Sequence, residues 1–319
     1  MSTVTAFLDK INSQNPPFKG LIRYNEAMSE HTTFKVGGPA DAWIRPEGDC
    51  FPEFSAILLE SARNEGIPVF ILGGGANLVV SDKGIRGIVL DTTAYSGATD
   101  ALGLQVSGSG SEEKLYFRSG TTMDNAADYA ADRGLSGLEF LAGMPGCLGG
   151  ALWMNARCYE KEMADVTREV QLLEGGCILT TVVDKKEFAY KKSPFQTKDC
   201  LILIMSFILH RKEKSVIWDK INAYRKDREE KGHYRFPCAG SVFINNPAFG
   251  KPTGKILDEL GCKGLTIGDA QLAPWHGNII INKGKASAAD ILALVEALEE
   301  RARMELGIEL EREILFMGN

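Results

Sequence analysis

The chain has 319 residues, 44% hydrophobic and 24% charged, a composition typical of an ordinary globular protein with two or three domains. Its net charge of −6 and pI near 5.4 argue against general nucleic-acid binding, while a local pocket for a small anion stays compatible with that charge. No apolar run approaches the ~20 residues that a membrane-spanning helix needs, and the first ten residues lack the features of an export signal.

The seven cysteines are scattered and form no Cys-x-x-Cys pair, so the sequence predicts neither a disulfide framework nor a zinc site. With four histidines, a multi-histidine metal centre is not expected either. We expect reduced, mostly buried thiols in a cytoplasmic protein that binds no metal.

Residues 1–30 predict a short helix followed by an extended segment. Alternation over residues 31–41 ends in a Gly-Gly-Pro turn. Apolar residues at helical spacing predict a helix from about residue 54 that ends at Gly66. Further strands are expected at 68–72, 78–80, 87–90 and 115–118, and a helix at 122–133.

Three successive glycines, Gly73 to Gly75, follow the strand at 68–72 directly. Consecutive glycines let neighbouring backbone N–H groups converge on an anion such as phosphate. The pattern is not Gly-x-Gly-x-x-Gly at the start of a helix, because residues 78–80 continue as a strand. No Gly-Lys-Ser/Thr follows, so a P-loop is excluded as well.

A second glycine-rich stretch covers residues 137–155, with Gly137, Gly143, Gly146, Gly149 and Gly150 among apolar side chains. The apolar residues indicate burial, and the glycines indicate left-handed turns or close backbone approach. A buried loop must satisfy its peptide groups, and a large polar cofactor would do so. A glycine-rich turn without a ligand is the equally weighted alternative.

The second half of the chain begins with strands over residues 168–190, which contain a Glu174-Gly-Gly turn. Residues 201–207 form the most apolar strand, and the charged runs at 211–214 and 226–231 indicate an exposed helix face beyond a boundary near 212. The remaining expected elements are a short helix at 255–260, a strand at 279–282, a helix from Ser287 to Gly307 with a capping box, and a last apolar segment at 310–316.

Seven short motifs resemble one family, UDP-N-acetylenolpyruvoylglucosamine reductase, a flavoenzyme of peptidoglycan (cell wall) precursor synthesis. They occur in family order from about residue 20 to the C-terminus. Each is weak alone, and together they are specific. The motifs are residues 32–41, 72–78, 137–146 with 154–155, 190–195, 239–243, 276–282 and 310–313.

The resemblance implies an α+β fold in which a two-part FAD-binding domain of the vanillyl-alcohol-oxidase type precedes a smaller substrate-binding domain. The expected divisions are an N-terminal segment (1–30), two FAD-binding subdomains (31–98 and 99–211) and the substrate-binding domain (212–319). The implied FAD contacts are Gly73, Gly74, Gly75, Ala76, Asn77, Leu78, Gly137, Gly143, Met144, Pro145, Gly146, Gly149 and Gly150.

In the family, NADPH reduces FAD, and the flavin then delivers hydride to the enolpyruvyl group of the sugar nucleotide to give UDP-N-acetylmuramate. Hydride attack places negative charge on the substrate carboxylate, so a cation must lie there. The family has an arginine at the position of Lys191. Lysine keeps the charge but loses the planar, two-pronged grip. Arg157, which also departs from the family pattern, and Arg235 are the alternatives.

The carbanion needs a proton donor, and the resemblance assigns this role to Ser241, with Glu313 as the carboxyl partner. Glu309 and Glu311 lie at even spacing from Glu313, so strand alternation cannot choose among the three. Tyr190, Asn245 and His276 match substrate-contacting positions, although a structural role for His276 is nearly as well supported.

The short interval between Lys191 and Ser241 fits the family branch without the extra tyrosine-bearing loop. We expect a cytoplasmic monomer that binds the sugar nucleotide and NADPH and neither nucleic acid nor membrane. Two rival hypotheses are a flavin oxidase that shares only the FAD domain and a sugar-nucleotide-binding regulator without activity.

Overall fold

The structure, a computed structural model, describes residues 3–14, 18–99 and 112–318. Residues 15–17, in the predicted N-terminal segment, and 100–111, near the start of the predicted second FAD subdomain, lie outside that description. The chain forms two compact units. The first unit comprises Met1–Tyr24, Ala42–Gly74 and Gly87–Lys226, and the second comprises Asn25–Asp41, Gly75–Arg86 and Asp227–Asn319. The predicted domain limits stay a prediction.

The helices of the described residues are α1 (Thr3–Gln14), α2 (Phe51–Glu65), α3 (Met123–Asp132), α4 (Leu148–Trp153), α5 (Met163–Val166), α6 (Lys214–Glu230), α7 (Thr253–Glu259) and α8 (Ala288–Leu306). The strands are β1 (Gly20–Ala27), β2 (Pro39–Pro46), β3 (Val69–Leu72), β4 (Leu78–Val80), β5 (Ile85–Asp91), β6 (Glu112–Arg118), β7 (Leu135–Ser136), β8 (Arg157–Cys158), β9 (Lys161–Glu162), β10 (Thr167–Glu174), β11 (Cys177–Val182), β12 (Cys200–Arg211), β13 (Thr266–Ile267), β14 (Ala270–Leu272), β15 (Ile280–Asn282) and β16 (Leu315–Met317).

The largest sheet of the first unit has the strand order β11-β10-β12-β6, and β7 also pairs with β12. β12 lies between β10 and β6 and is antiparallel to both. Its residues from 201 to 207 are all buried, as expected for a strand covered on both faces, which confirms the most apolar predicted strand. Gly175 and Gly176 adopt positive φ angles of 57° and 79° in the turn between β10 and β11, as a tight hairpin requires.

A second sheet has the order β1-β2-β5-β3, in which β3 runs parallel to β5. In the first unit, α2 packs its apolar face into a core that includes Phe51, Leu58, Ile88 and Leu90. α2 ends at Gly66, whose left-handed conformation (φ 68°) lets its N–H bond to the last carbonyls of the helix. The helix and its predicted end are confirmed.

The second unit contains the sheet β13-β14-β15, the long helix α8 and the parallel pair β4–β16. α8 buries Ile291, Leu294, Val295 and Leu298, which are the four apolar positions of the predicted helix face. Ser287 and Asp290 form the predicted capping box, and Gly307 ends the helix in the left-handed region. These bonds fix the helix between the residues that the sequence indicated.

Two stretches with an alternating pattern differ from a strand. Residues 32–36 form a turn, in which the Lys35 N–H donates to the Thr32 carbonyl and Lys35 has φ 56°. Residues 309–313 form no regular strand, and only Arg312 makes an isolated bridge, to Phe243. Alternation therefore does not apply to the three candidate glutamates. None of the helices in the described ranges is both long and apolar enough to cross a membrane.

Candidate active site

The two glycine-rich stretches meet inside the first unit. A Cβ atom on Gly74 would lie 2.7 Å from the Gly146 Cα and 3.4 Å from the Cys147 nitrogen. A Cβ on the neighbouring Gly73 would be 3.8 Å from the Cys147 Cβ, an ordinary contact. Only a residue without a side chain fits at position 74, because backbone lies against backbone there.

The loop that holds Gly143, Met144, Pro145 and Gly146 is shaped by left-handed glycines and by backbone bonds. Gly143 has φ 72° and Gly146 has φ 111°. The Met144 N–H donates to the Leu141 carbonyl over 3.0 Å, and the Gly146 carbonyl accepts from the Met123 N–H over 3.2 Å. Backbone bonds thus join Met144 to the preceding 3₁₀ turn (Glu139–Leu141) and Gly146 to the first turn of α3.

The other glycines of this stretch have different surroundings. A Cβ on Gly137 would lie 2.6 Å from the Leu209 Cδ2, and one on Gly149 would lie 2.8 Å from the Ser119 Cβ. Apart from its chain neighbours and the backbone of α4 itself, no described atom lies within 4 Å of the Cβ position of Gly150. Internal packing therefore explains Gly137 and Gly149, whereas Gly150 leaves open space beside α4.

Two ionisable groups belong to this stretch. Burial, together with the nearby charge of Asp91, raises the pKa of the Cys147 thiol to about 11, so the thiol is neutral and unreactive near pH 7. Burial alone would raise the pKa of Glu139, but hydrogen bonds from the Ser136 hydroxyl and the Gly137 N–H outweigh it and hold that pKa below its usual range. Glu139 is therefore an ionised, fully bonded carboxylate within the glycine-rich segment.

In the second unit, Gly75 to Leu78 lie against the C-terminal segment. A Cβ on Gly75 would lie 2.1 Å from the His31 carbonyl oxygen, so glycine is required there as well. The Asn77 amide donates to the Glu313 carbonyl over 3.0 Å, and the Leu315 N–H donates to the Asn77 carbonyl over 3.0 Å. A predicted cofactor residue and a predicted catalytic residue are thus hydrogen-bonded neighbours.

Several backbone N–H groups in and beside the triple glycine form no hydrogen bond to the described protein residues. Within the described part of the chain, no protein acceptor is bonded by the Gly73 N–H in the first unit, or by the Gly75 and Ala76 N–H groups in the second. N–H groups in successive glycines are suited to oxygen-rich anions. Within the second unit, the Gly75 and Ala76 N–H groups are donors of the kind that a diphosphate needs.

Ser241 and Glu313 belong to neighbouring backbone segments of the second unit. The Glu313 N–H donates to the Val242 carbonyl over 2.7 Å, and Phe243 forms a bridge with Arg312. Ser241 itself pairs with Ile279 and follows Gly240, which has φ 74°. The Ser241 hydroxyl makes no hydrogen bond among the described residues.

Burial distinguishes the three candidate glutamates that alternation could not separate. Glu309 and Glu311 are exposed, whereas Glu313 is partly buried. Backbone bonds do not separate Glu311 from Glu313, because the Glu311 carbonyl accepts from the Ile244 N–H and the Glu313 N–H donates to the Val242 carbonyl. Partial burial is therefore the one observed difference between Glu313 and the other two, and the choice of Glu313 stays a prediction.

In the first unit, Tyr190 and Lys191 occupy the tip of a tight turn closed by two backbone bonds between Ala189 and Lys192. Lys191 has φ 60°, an uncommon conformation for a residue with a side chain. Its Nζ lies 5.8 Å from the centroid of the Tyr190 ring, and the Arg157 Cζ lies 5.6 Å from the same centroid. The structure thus brings the two departures from the family pattern onto one aromatic ring.

Asn155 fixes this arrangement. It is fully buried, its side-chain amide donates to the Ala189 carbonyl over 2.9 Å, and its Oδ1 accepts from the Ala164 N–H. The third candidate cation, Arg235, lies in the second unit over the Trp275 ring at 5.0 Å.

Asn245 and His276, the two remaining predicted substrate contacts, have local roles in the second unit. The Asn245 Oδ1 accepts from the Thr253 N–H at the start of α7 over 2.9 Å. The His276 Nδ1 accepts from the Asn278 N–H over 3.1 Å, and the ring lies 5.8 Å from that of His233. Burial, with help from Lys263, lowers the pKa of His276, so its ring is neutral near pH 7.

Comparison with known proteins places the chain in a family. The model of an FAD-binding domain matches residues 53–179, and the model of the C-terminal domain of UDP-N-acetylenolpyruvoylglucosamine reductase matches residues 232–317. A UDP-N-acetylenolpyruvoylglucosamine reductase from Borreliella burgdorferi is 36% identical over 98% of this chain and 97% of its own length. The chain belongs to the UDP-N-acetylenolpyruvoylglucosamine reductase family.

Further relatives agree. A family member from Treponema denticola is 37% identical over 94% of this chain and 95% of its own length. The crystal structure of the reductase from Thermus caldophilus matches with a TM-score of 0.75 and 29% identity, and covers 94% of this chain and all of that one. The family, the α+β fold with an FAD domain of the vanillyl-alcohol-oxidase type, and the oxidoreductase class are thereby confirmed.

The residues around the triple glycine fit the FAD that the matching domain indicates. The N–H groups of Gly73, Gly75 and Ala76 have no protein acceptor among the described residues, and the diphosphate of FAD carries acceptor oxygens. Gly74 and Gly146 bring the second glycine-rich loop against the first.

Sequence reasoning did not single out Asp124, whose carboxylate accepts from the Gly143 N–H over 2.8 Å. The only signal was an acidic residue in the first turn of a predicted helix, and such residues are common there for electrostatic reasons alone.

Proposed function

We propose that the protein catalyses the NADPH-dependent reduction of UDP-N-acetyl-3-O-(1-carboxyvinyl)glucosamine to UDP-N-acetylmuramate, a step of peptidoglycan precursor synthesis. FAD, when bound, would accept hydride from NADPH and pass it to the vinyl ether. The family membership supports this reaction, and the N–H groups at the triple glycine, which lack acceptors in the described residues, support the cofactor.

The FAD contacts that we propose are the two glycine loops and their neighbours. Gly74 and Gly75 have no room for a side chain, and their loop offers N–H donors to the diphosphate. Gly150 has open space on its Cα, which suits the close approach of a flat ring or a ribityl chain. The remaining contacts are Gly73, Ala76, Asn77, Leu78, Gly137, Gly143, Met144, Pro145, Gly146 and Gly149.

Ser241 is the proposed proton donor to the carbanion, and Glu313 is its proposed carboxyl partner. A serine hydroxyl is a weak acid, so it needs a polar neighbour that stabilises the proton transfer. The Ser241 hydroxyl makes no hydrogen bond within the described ranges, which leaves it available to a substrate. The bond from the Glu313 N–H to the Val242 carbonyl supports the partnership.

Lys191 is the proposed cation at the substrate carboxylate, and Arg157 is the proposed second cation beside it. Both lie near the ring of Tyr190, a proposed substrate contact together with Asn245 and His276. The Arg157 guanidinium forms no ion pair with the described residues, so it is available to an anion. Lysine and arginine together supply the charge and the donors that one family arginine supplies.

The protein works in this proposal as a cytoplasmic monomer that binds neither nucleic acid nor membrane. Its substrates are both nucleotides, which cells keep in the cytoplasm. The net charge of −6 disfavours nucleic acid. Light scattering after size exclusion should give a mass near 34.8 kDa, and about twice that mass would overturn the monomer.

The deciding experiment compares Ser241→Ala with Ser215→Ala, a control on an exposed residue of α6. NADPH oxidation should require the enolpyruvyl sugar nucleotide, and Ser241→Ala should lower that rate by about 10²- to 10⁴-fold. Flavin reduction by NADPH should stay unchanged in both variants. NADPH oxidation that needs only oxygen would support a flavin oxidase, and no turnover of any kind would support a binding protein.

A further inference from the structure

The Gly143 peptide is held from outside its own loop. Its N–H donates to the Asp124 Oδ1 over 2.8 Å, and Gly143 adopts φ 72°. The same Oδ1 accepts from the Arg225 Nε over 3.1 Å and from a terminal nitrogen of Arg225 over 2.7 Å. One carboxylate oxygen thus joins the glycine loop to α6.

Arg225 has a second partner that does not contact the loop. The terminal nitrogen that binds Asp124 also lies 2.7 Å from the Asp128 Oδ1. Asp124 and Asp128 are one helical turn apart on α3, and both are partly exposed. Both aspartates bind the Arg225 guanidinium, and Asp124 in addition accepts the hydrogen bond from the Gly143 N–H.

The first turn of α3 also contacts the far end of the loop. The Met123 N–H donates to the Gly146 carbonyl over 3.2 Å, and Thr122 bridges Cys147. Asp124 holds the Gly143 end and Met123 holds the Gly146 end, so residues 143–146 are fixed at both ends by one helical turn.

The second half of α6 is itself held in place at Tyr224. The Tyr224 ring stacks on the Tyr159 ring with centroids 3.7 Å apart, and the Tyr159 hydroxyl donates to the Tyr224 carbonyl over 3.1 Å. Arg225, the next residue, is therefore presented to Asp124 from a fixed backbone.

We propose that Asp124 is a positioning residue for FAD, which orients the Gly143 peptide in the loop 143–146, and that Arg225 holds its carboxylate in place. The inference rests on the proposed function, because it takes this loop as an FAD contact. A charged acceptor holds a peptide N–H more firmly than a neutral one. Without Asp124, the Ala142–Gly143 peptide loses this charge-assisted bond.

The experiment titrates FAD into apoprotein and follows the quenching of flavin fluorescence in Asp124→Ala and in its matched control, Asp128→Ala. Each variant removes one carboxylate that binds Arg225, and Asp124→Ala also removes the carboxylate that accepts from the Gly143 N–H. We expect the dissociation constant for FAD to rise about tenfold in Asp124→Ala, the effect of losing one charge-assisted bond. In Asp128→Ala it should change less than twofold.

Two further measurements separate positioning from general stability. The Gly143 amide should exchange its hydrogen faster in Asp124→Ala apoprotein and at the wild-type rate in Asp128→Ala. Asp124→Asn, which keeps a neutral acceptor, should recover part of the FAD affinity. If Asp124→Ala does not fold, Asp124→Asn carries the test. Its Gly143 amide should exchange faster than in the wild type. Its affinity for FAD should be lower than that of the wild type but still measurable.

Equal FAD affinities in Asp124→Ala and wild type, or equal losses in Asp124→Ala and Asp128→Ala, would overturn the positioning role while leaving the proposed function intact. Wild-type Gly143 exchange in Asp124→Ala would overturn it as well. If the wild-type protein itself takes up no FAD, the proposed function fails and the inference fails with it.

Discussion

The candidate functional residues are held in place differently within each of the two units. In the first unit, the glycine loops are defined by missing side chains, because Gly74 lies backbone against backbone on Gly146. In the second unit, Ser241 and Glu313 are ordinary side chains on segments that backbone hydrogen bonds place side by side. The first arrangement depends on packing and the second on pairing.

This difference predicts two kinds of mutational effect. A methyl group added to Gly74 in the first unit should damage folding and FAD uptake together, because it would meet backbone that has no room to move. A side chain changed in the second unit should damage the reaction while the fold stays intact, because the backbone bonds do not depend on it. The largest expected effects are losses of reaction rate, and the smaller ones are losses of stability.

Glu313→Gln should lower the rate of substrate reduction by about 10²-fold or more, because a proposed proton-transfer partner loses its acid–base function. Glu311→Gln, its control on an exposed residue, should keep nearly the wild-type rate. Steady-state NADPH oxidation with the sugar nucleotide measures both. Similar rates in the two variants would remove Glu313 from the mechanism.

Lys191→Ala should lower the same rate by about 10²-fold, because one cation that stabilises developing charge is lost. Arg157→Ala should have a smaller effect, and the double variant should lose more than either. Lys192→Ala, on the exposed neighbour of the same turn, is the control. Near-normal activity of the double variant would direct attention to Arg235.

Gly74→Ala should lower the melting temperature by several degrees, because overpacking of this kind costs about 1–3 kcal/mol. Gly73→Ala is the matched control, since its Cβ would meet the nearest atom at an ordinary 3.8 Å. Calorimetry of the two apoproteins measures the difference. Equal melting temperatures would mean that the two glycine loops do not touch as described.

Glu139→Gln should cost about 1–3 kcal/mol of stability near neutral pH, because a buried, bonded carboxylate is replaced by an imperfect partner. The hydrogen bonds from Ser136 and Gly137 hold the pKa of Glu139 below its usual range. The ionised form therefore contributes stability above the unfolded pKa and loses it as pH falls through the lower folded pKa. Denaturation at pH 7 and at pH 3 should show the gap between variant and wild type shrink at the lower pH.

Local signals in the sequence were sufficient for many elements. Ser287 with Asp290 and the later Gly307 identified both ends of α8, because capping depends on residues within one turn. Gly66 identified the end of α2 for the same reason. The apolar run at 201–207 identified β12, because a strand covered on both faces has no polar alternation.

Long-range pairing was beyond those signals. Strand alternation could not choose among the glutamates at 309–313, and this segment makes one bridge, between Arg312 and Phe243, with bonds to Val242 and Ile244, rather than a ladder. The contacts of Asn77 with Glu313 and of Gly74 with Gly146 join residues far apart in the chain. Family motifs named most of these residues, whereas Asp124 carried no motif and became visible only through its bond to Gly143.

The most direct test of the central claim is the visible spectrum of the purified protein under anaerobic conditions. We predict a yellow protein with about one flavin per chain, whose visible flavin absorbance bleaches with NADPH and returns when the enolpyruvyl sugar nucleotide is added. A colourless protein that takes up no FAD, or a bleached flavin that this substrate does not reoxidise, would contradict it.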